Sequence, residues 1–467
     1  MKQAELTAKI DEYLEQNWGT VVDDIRTLVE IPSVEEPELA APGKPFGPGP
    51  AAALEKALDI AADMGFETAN VDGFMGYADF PGKSETQVGI IGHMDVVPAG
   101  PGWTFPPFKV TEKDGYLIGR GTLDDKGPVM VALHAMKFWK DQGVEFPYTI
   151  RFLFGANEET DLRDVEYYRE RFADPAFLFT PDAEFPVCYG EKGGYNGTIT
   201  SEPMPERMVL EMTGGVATNA VPGEAQAIIL INTDDLKGTD DITVERLDED
   251  RVRLFAQGKS AHASMPETGV NAIALIIDYL LENNIGTQKE QDWFKFEKAL
   301  LDHTDGSGVG LATADKDFGP LTIIGGTVAT ENDCFVQTVD SRYPTSISGE
   351  EIQAILSEQA GKVGASVENT MLLPPFLVSP ESPVIQALLS AYNEATGQNA
   401  KPFTIGGGTY AREFTSGASF GPEMPWIEIP EWVGAMHGPD EGISEDLLKE
   451  AFRIYVLTLD KLMQLDL

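Results

Sequence analysis

The stretch "QVGIIGHMDVVPAGPGW", residues 87–103, decides how the chain is read. "VGII" is a short unbroken apolar run, the pattern of a strand buried on both faces. The run ends at His93, Asp95 follows one residue later, and Gly and Pro then turn the chain away. An imidazole and a carboxylate here occupy the place where open α/β sheets bind ligands, outside the carboxyl ends of the strands.

Working outward, the same arrangement recurs. "TIRFLFGANEE" runs into Glu158 and Glu159, and "AFLFTPDAE" runs into Asp182. "GRGTLDDKG" places Asp124 and Asp125 just ahead of the amphipathic helix "GPVMVALHAMKFWKDQG". "GAMHGPDE" carries His437 near the end of the chain. Strands alternating with helices predict an α/β domain with a mixed β-sheet between helices, over residues 1–190 and 375–467. From residue 191 the texture becomes strand-rich, and a similar pattern of strands and a helix returns near "FGPLTIIGGTVATENDCFVQTVDSRYPT". This predicts an inserted α+β domain over 191–374, built of two related halves.

Composition narrows the function. The chain has 467 residues, enough for two or three domains. With 76 acidic against 34 basic residues, its formal charge is −42. Such a surface repels phosphate backbones and anionic lipid, which argues against nucleic-acid and membrane partners. "NAIALIIDYLL" is the longest apolar stretch, and Asp278 interrupts it. Two cysteines far apart, Cys188 and Cys334, build neither a disulfide framework nor a thiolate zinc site. The polar, helix-patterned start "MKQAELTAKIDEYLEQNW" lacks an apolar signal core, so a cytoplasmic protein is expected.

Two imidazoles with hard carboxylate oxygens fit a pair of divalent metal ions. A carboxylate one residue from a histidine can hydrogen-bond its second ring nitrogen, so Asp95 is expected to orient His93. His134, inside a helix, and His303, in a polar segment, are given no role.

Taken together, "GHMDVVPAGPGW", "GRGTLDDKGP", "GANEET", "FTPDAEFPVCYGEKG", "GKSAHASMPETGVNA", "GGGTYARE" and "GAMHGPDEGI" resemble the dinuclear metallopeptidases of the aminoacylase, carnosinase and desuccinylase superfamily, and among them the PepV-type dipeptidases. The resemblance implies a catalytic domain holding two divalent ions, zinc or alternatively manganese or cobalt, and an inserted lid bearing substrate groups. His93 and Asp182 would bind one ion, Glu159 and His437 the other, and Asp124 would bridge them. The motif's register selects Asp124 over Asp125 and implies a cis peptide after the bridging residue. Glu158 would be the general base, and His262 in the lid would stabilise the oxyanion. Arg342 would take the substrate carboxylate, with Asn219 a further substrate contact and Gly407, Gly408 and Thr409 offering main-chain donors. The free amine would sit near Asp182 and Glu158.

Dipeptides are the expected substrates, with enclosure between lid and catalytic domain excluding longer peptides. A lid this large could supply both halves within one chain, so a monomer is expected. An N-acyl-amino-acid deacylase or desuccinylase would use an identical metal set. A metal-binding protein with lost catalysis is disfavoured, because Asp95 and Glu158 are both retained.

Overall fold

The computed structural model describes residues 3–232 and 236–467. The chain forms two compact units. The first runs through Tyr189 and resumes over Leu377–Phe403 and Gly408–Leu467; the second comprises Gly190–Phe376 and Thr404–Gly407. The short return of Thr404–Gly407 to the second unit has local causes. The Thr404 hydroxyl donates to Asp317 O at 2.7 Å, and Ile405 O accepts from Lys192 N–H at 2.9 Å.

The first unit is built on a mixed sheet. Its strands lie in the order Glu67–Val71, Met75–Phe80, Thr149–Gly155, Gln87–His93, Phe177–Thr180 and Gly417–Ser419. The first two pairings are antiparallel and the next three parallel, after which Gly417–Ser419 pairs antiparallel with Cys188–Glu191. Both faces are covered, which explains the unbroken apolar runs. Val88, Ile90, Phe152, Phe154 and Phe179 point into one core, which they share with the packed helices Lys126–Asp141, Pro383–Thr396 and Glu445–Leu462. Ile91, Leu153 and Leu178 point the other way, against Val165, Tyr168, Tyr410 and Phe414. Burying each such side chain stabilises the fold by about 1.5–3 kcal/mol.

In the parallel register His93 pairs with Gly155, so the strand ends leading to His93 and to Glu158 lie level. The Asp124–Asp125 peptide is cis, as the motif implied. Lys126 is fully buried and donates its ammonium to Leu28 O at 3.0 Å and Ile31 O at 2.9 Å, so the helix it opens is tied to the end of the first helix, Gln3–Val29. His134 is a satisfied core histidine, between the Tyr13 hydroxyl at 2.9 Å and Asp24 at 2.8 Å.

The second unit is an antiparallel sheet of eight strands, in the order Ile242–Arg246, Arg251–Gln257, Glu224–Leu230, Val209–Gly214, Thr322–Glu331, Cys334–Tyr343, Gly193–Thr200 and Ser366–Leu373. Alternate residues are buried along Glu224–Leu230 and Arg251–Gln257, the pattern of a sheet with one covered face. The helices Ala272–Glu282 and Gln288–Leu301 cover one end of that face, and Gly349–Gly361 covers the other. The fourth and fifth strands meet over only two residue pairs, Thr213 with Ala329 and Gly214 with Val328. The fold is therefore the expected α/β class with an inserted α+β unit.

One buried group in this unit makes the fold sensitive to pH. Glu297, on the helix Gln288–Leu301, is buried, and neither of its carboxyl oxygens has a hydrogen-bond partner among the described residues. Burial pushes its pKa up from 4.5 to about 8. The folded unit thus keeps a proton that the unfolded chain releases. Its stabilising contribution is complete below pH 4.5 and falls by roughly 1.4 kcal/mol per unit as pH rises towards 8. In urea unfolding at pH 5 and pH 8, Glu297→Gln is expected to lose clearly less stability over that interval than the parent protein. Equal losses would show that the carboxyl is not the source.

Candidate metal centre

The donors predicted from sequence come together in the first unit. His93 ends its strand, Asp182 stands two residues beyond Phe177–Thr180, and Glu159 stands four beyond Thr149–Gly155. Asp124 lies just ahead of the helix Lys126–Asp141, and His437 comes from a loop before the last helix. Asp124 Oδ1 lies 2.9 Å from His93 Nε2, while its Oδ2 lies 2.9 Å from His437 Nε2. One carboxylate thus faces two imidazoles with its two oxygens. Glu159 Oε2 lies 3.1 Å from His437 Nε2, and Asp182 Oδ2 lies 3.7 Å from His93 Nε2. Donor atoms of His93, Asp124 and Glu159 lie within 4.8 Å of one another, and so do those of His93, Asp125 and Asp182.

Asp125, which the motif's register passes over, thus stands among the candidate donors. Its Oδ2 accepts the His93 main-chain N–H at 3.2 Å, while its buried Oδ1 has no hydrogen-bond partner among the described residues. The doubled Asp was its only signal in the sequence.

Asp95 works through other atoms than expected. His93 Nδ1 lies 3.0 Å from the main-chain oxygen of Asp95 and 3.5 Å from its carboxylate. The carboxylate instead accepts the main-chain N–H groups of Glu158 at 3.2 Å and Glu159 at 3.1 Å. The two preceding N–H groups, of Ala156 and Asn157, are accepted by buried Asp164 at 2.7 and 3.0 Å. Four consecutive main-chain donors are thus held by two carboxylates. This irregular turn lets neighbouring Glu158 and Glu159 serve different purposes.

The charge balance calls for cations. Burial and Asp124 push Asp182 up to about 7, and burial with Asp182 pushes Glu158 well above the usual carboxylate range. Burial opposes protonation of His93, yet its contacts with Asp124 and Asp95 outweigh it and raise the imidazole well above its ordinary value. Asp124 and Glu159 raise His437 in the same direction. The nearby Lys126 ammonium is engaged at the end of the first helix. An all-nitrogen-and-oxygen donor set with this excess of negative charge fits hard or borderline divalent ions.

The remaining predicted residues divide between the units. Thr409 is buried, and its hydroxyl accepts Ala411 N–H at 3.1 Å and lies 2.9 Å from the Ser419 hydroxyl. Gly408 beside it is exposed. In the second unit Ala220 pairs with His262, and Asn219 O accepts Ala263 N–H at 3.0 Å. Thr322, opposite Arg342 in the sheet, donates to Ala263 O at 3.2 Å. His262, Asn219 and Arg342 are thereby joined in one region. The Arg342 fork is engaged by buried Asp340, at 2.8 and 3.0 Å, and Nη1 reaches Gly406 O at 3.4 Å. Arg342, expected to meet the substrate carboxylate, thus already shares part of its fork with Asp340, two residues before it on the same strand.

Residues 89–461 match the model of peptidase family M20/M25/M40. The chain belongs to that family. The M20 match takes in all five donors named from sequence, and as a member of a peptidase family the protein is a hydrolase. A Staphylococcus haemolyticus protein named "Putative dipeptidase" is 31% identical over 466 residues, covering 96% of this chain and 97% of the relative. A Staphylococcus saprophyticus protein of the same name is 32% identical over 459 residues, covering 95% and 97%. Among solved structures, human carnosine dipeptidase 1 shares the fold with a TM-score of 0.58 at 16% identity, covering 98% of this chain and 99% of that one. The dipeptidase Dug1p of Saccharomyces cerevisiae does so with a TM-score of 0.60 at 12% identity, covering 99% of both chains.

The shared carboxylate makes a prediction about metal content. After stripping, reloading and gel filtration, Asp124→Ala is expected to lose both ions, whereas His437→Ala keeps one. Elemental analysis of the purified variants checks both outcomes.

Proposed function

We propose that this chain is a PepV-like metal-dependent dipeptidase, hydrolysing the peptide bond of dipeptides whose amino and carboxyl termini are both free. The observation that carries the reading is the Asp124 carboxylate, divided between His93 and His437. The names of full-length relatives support the substrate class.

His93 and Asp182 would hold one ion, Glu159 and His437 the other, with Asp124 shared. When bound, two divalent ions lower the pKa of an attacking water and polarise the scissile carbonyl. Glu158 takes the proton of that water and passes it to the leaving amine. Asp95 positions this base by holding its main-chain N–H. Asp182 and Glu158 face the substrate's ammonium.

His262 donates to the oxyanion. Its Nδ1 accepts Ser264 N–H at 3.2 Å, which puts the proton of a neutral ring on Nε2. Arg342, steadied by Asp340, takes the substrate carboxylate through its other N–H groups, with Asn219 and the main-chain donors of Gly407, Gly408 and Thr409 as secondary contacts. Zinc, manganese and cobalt all suit the donor set. A cytoplasmic monomer completes the reading, supported by the sparse cysteines and by an eight-stranded sheet supplied within one chain. No helix among the described residues is long and apolar enough to cross a membrane.

Matched substrates test the proposal: Ala-Leu, N-acetyl-Ala-Leu, Ala-Leu-amide and Ala-Ala-Leu, with a chelator control. Cleavage of Ala-Leu alone, lost on chelation, is expected. Cleavage of the acetylated substrate with Ala-Leu untouched would move the chain to the deacylases. Glu158→Gln is expected to lower kcat about 10²–10⁴-fold with metal content unchanged. Undiminished turnover would remove Glu158 as the base.

A further inference from the structure

We propose that Glu441 and Arg120, neither of them a metal donor, are positioning residues that set the affinity for the ion held by Asp124, Glu159 and His437. The inference rests on the dinuclear reading above and concerns groups behind the donors.

Glu441 is completely buried and Arg120 nearly so. Glu441 Oε1 accepts three main-chain N–H groups from one loop: Gly121 at 2.9 Å, Leu123 at 3.2 Å and Asp124 at 3.2 Å. Its Oε2 pairs with Arg120 Nη1. Arg120 Nη2 then donates to the main-chain oxygen of His437 at 3.2 Å and reaches Pro98 O at 3.4 Å. The backbone closes the same circuit, because Gly119 N–H donates to Glu441 O at 2.8 Å. One ion pair therefore grips the loop that presents Asp124 and the loop that presents His437.

The His437 loop needs this support. It folds back on itself, with Gly434 N–H on Asp440 O at 2.7 Å and Gly442 N–H on Gly434 O at 3.2 Å. His437 and Asp440 adopt left-handed backbone conformations, with φ of 62° and 57°. A side-chain-bearing residue in that conformation is strained and persists only where its surroundings hold it. The Arg120 contact falls on the carbonyl of that very histidine. His93, in contrast, ends an ordered strand paired on both sides. The Arg120 contact bears on one imidazole alone, so breaking it acts chiefly on the ion at His437, whereas Glu441 also holds the main chain of the shared Asp124 and bears on both ions.

The test is calorimetric titration of metal-free full-length protein with Mn²⁺, following both equivalents. In Arg120→Lys one equivalent is expected to lose about 10–100-fold in affinity while the other changes far less, and in Glu441→Gln both equivalents are expected to weaken. Glu290→Ala serves as control. The Glu290 carboxylate accepts Met208 N–H at 2.9 Å and Val209 N–H at 2.7 Å within the second unit, so its loss is expected to lower the melting temperature and leave both equivalents intact. If folded Arg120→Lys weakens both equivalents alike, or if neither variant changes either equivalent, the positioning role is overturned. Should Glu441→Gln fail to fold, Arg120→Lys decides by the same criterion. A parent protein that takes up fewer than two ions would instead overturn the dinuclear reading, independently of Glu441.

Discussion

The structure of the first unit depends on one carboxylate having two sides. Asp124 presents one oxygen to an imidazole at the end of a central strand and the other to an imidazole from a loop near the end of the chain. Burying so much like charge in one place is unfavourable unless opposite charge arrives with it. The surrounding fold is consistent with that demand. The nearby lysine is turned away to main-chain oxygens, and the helix ends and strand ends contribute donors rather than counter-ions. Apolar strands covered on both faces hold these donors in register at the sheet's carboxyl edge.

Much of this was legible in the sequence, for a physical reason. A strand buried on both faces must be apolar throughout, so the first polar residues after "VGII", "TIRFLFG" and "AFLFT" mark the edge where the sheet meets solvent or ligand. His93, Glu158, Glu159 and Asp182 were found by that rule. The division into an α/β part and a strand-rich insertion was visible because the pattern of apolar residues changes from continuous to alternating near residue 191.

What could not be read is where backbone donors go. Asp95 looked like a partner for the His93 ring, but the turn holding Glu158 and Glu159 leaves N–H groups that must be satisfied, and its carboxylate serves them. Arg342 looked available to a ligand, yet Asp340, the first residue of "DSRYPT", stands two positions away on the same face of the strand and engages its fork. Glu441 stood inside a quoted motif and drew no attention, because its partners are main-chain groups of a loop far away in sequence. Composition and spacing report side chains that meet solvent or core; they are silent on side chains whose work is to hold a backbone.

The first unit is interrupted by the second, and His437 and Glu441 lie beyond the interruption. During synthesis, the strands carrying His93, Glu159 and Asp182 leave the ribosome long before the loop that completes their centre. The inserted unit, continuous over Gly190–Phe376 apart from its short return segment, can fold in the meantime. An ion meeting the nascent chain would find His93, Asp124, Glu159 and Asp182 without His437. The loop that carries His437 and Glu441 is therefore the last piece to reach the donors already laid down by the first part of the chain.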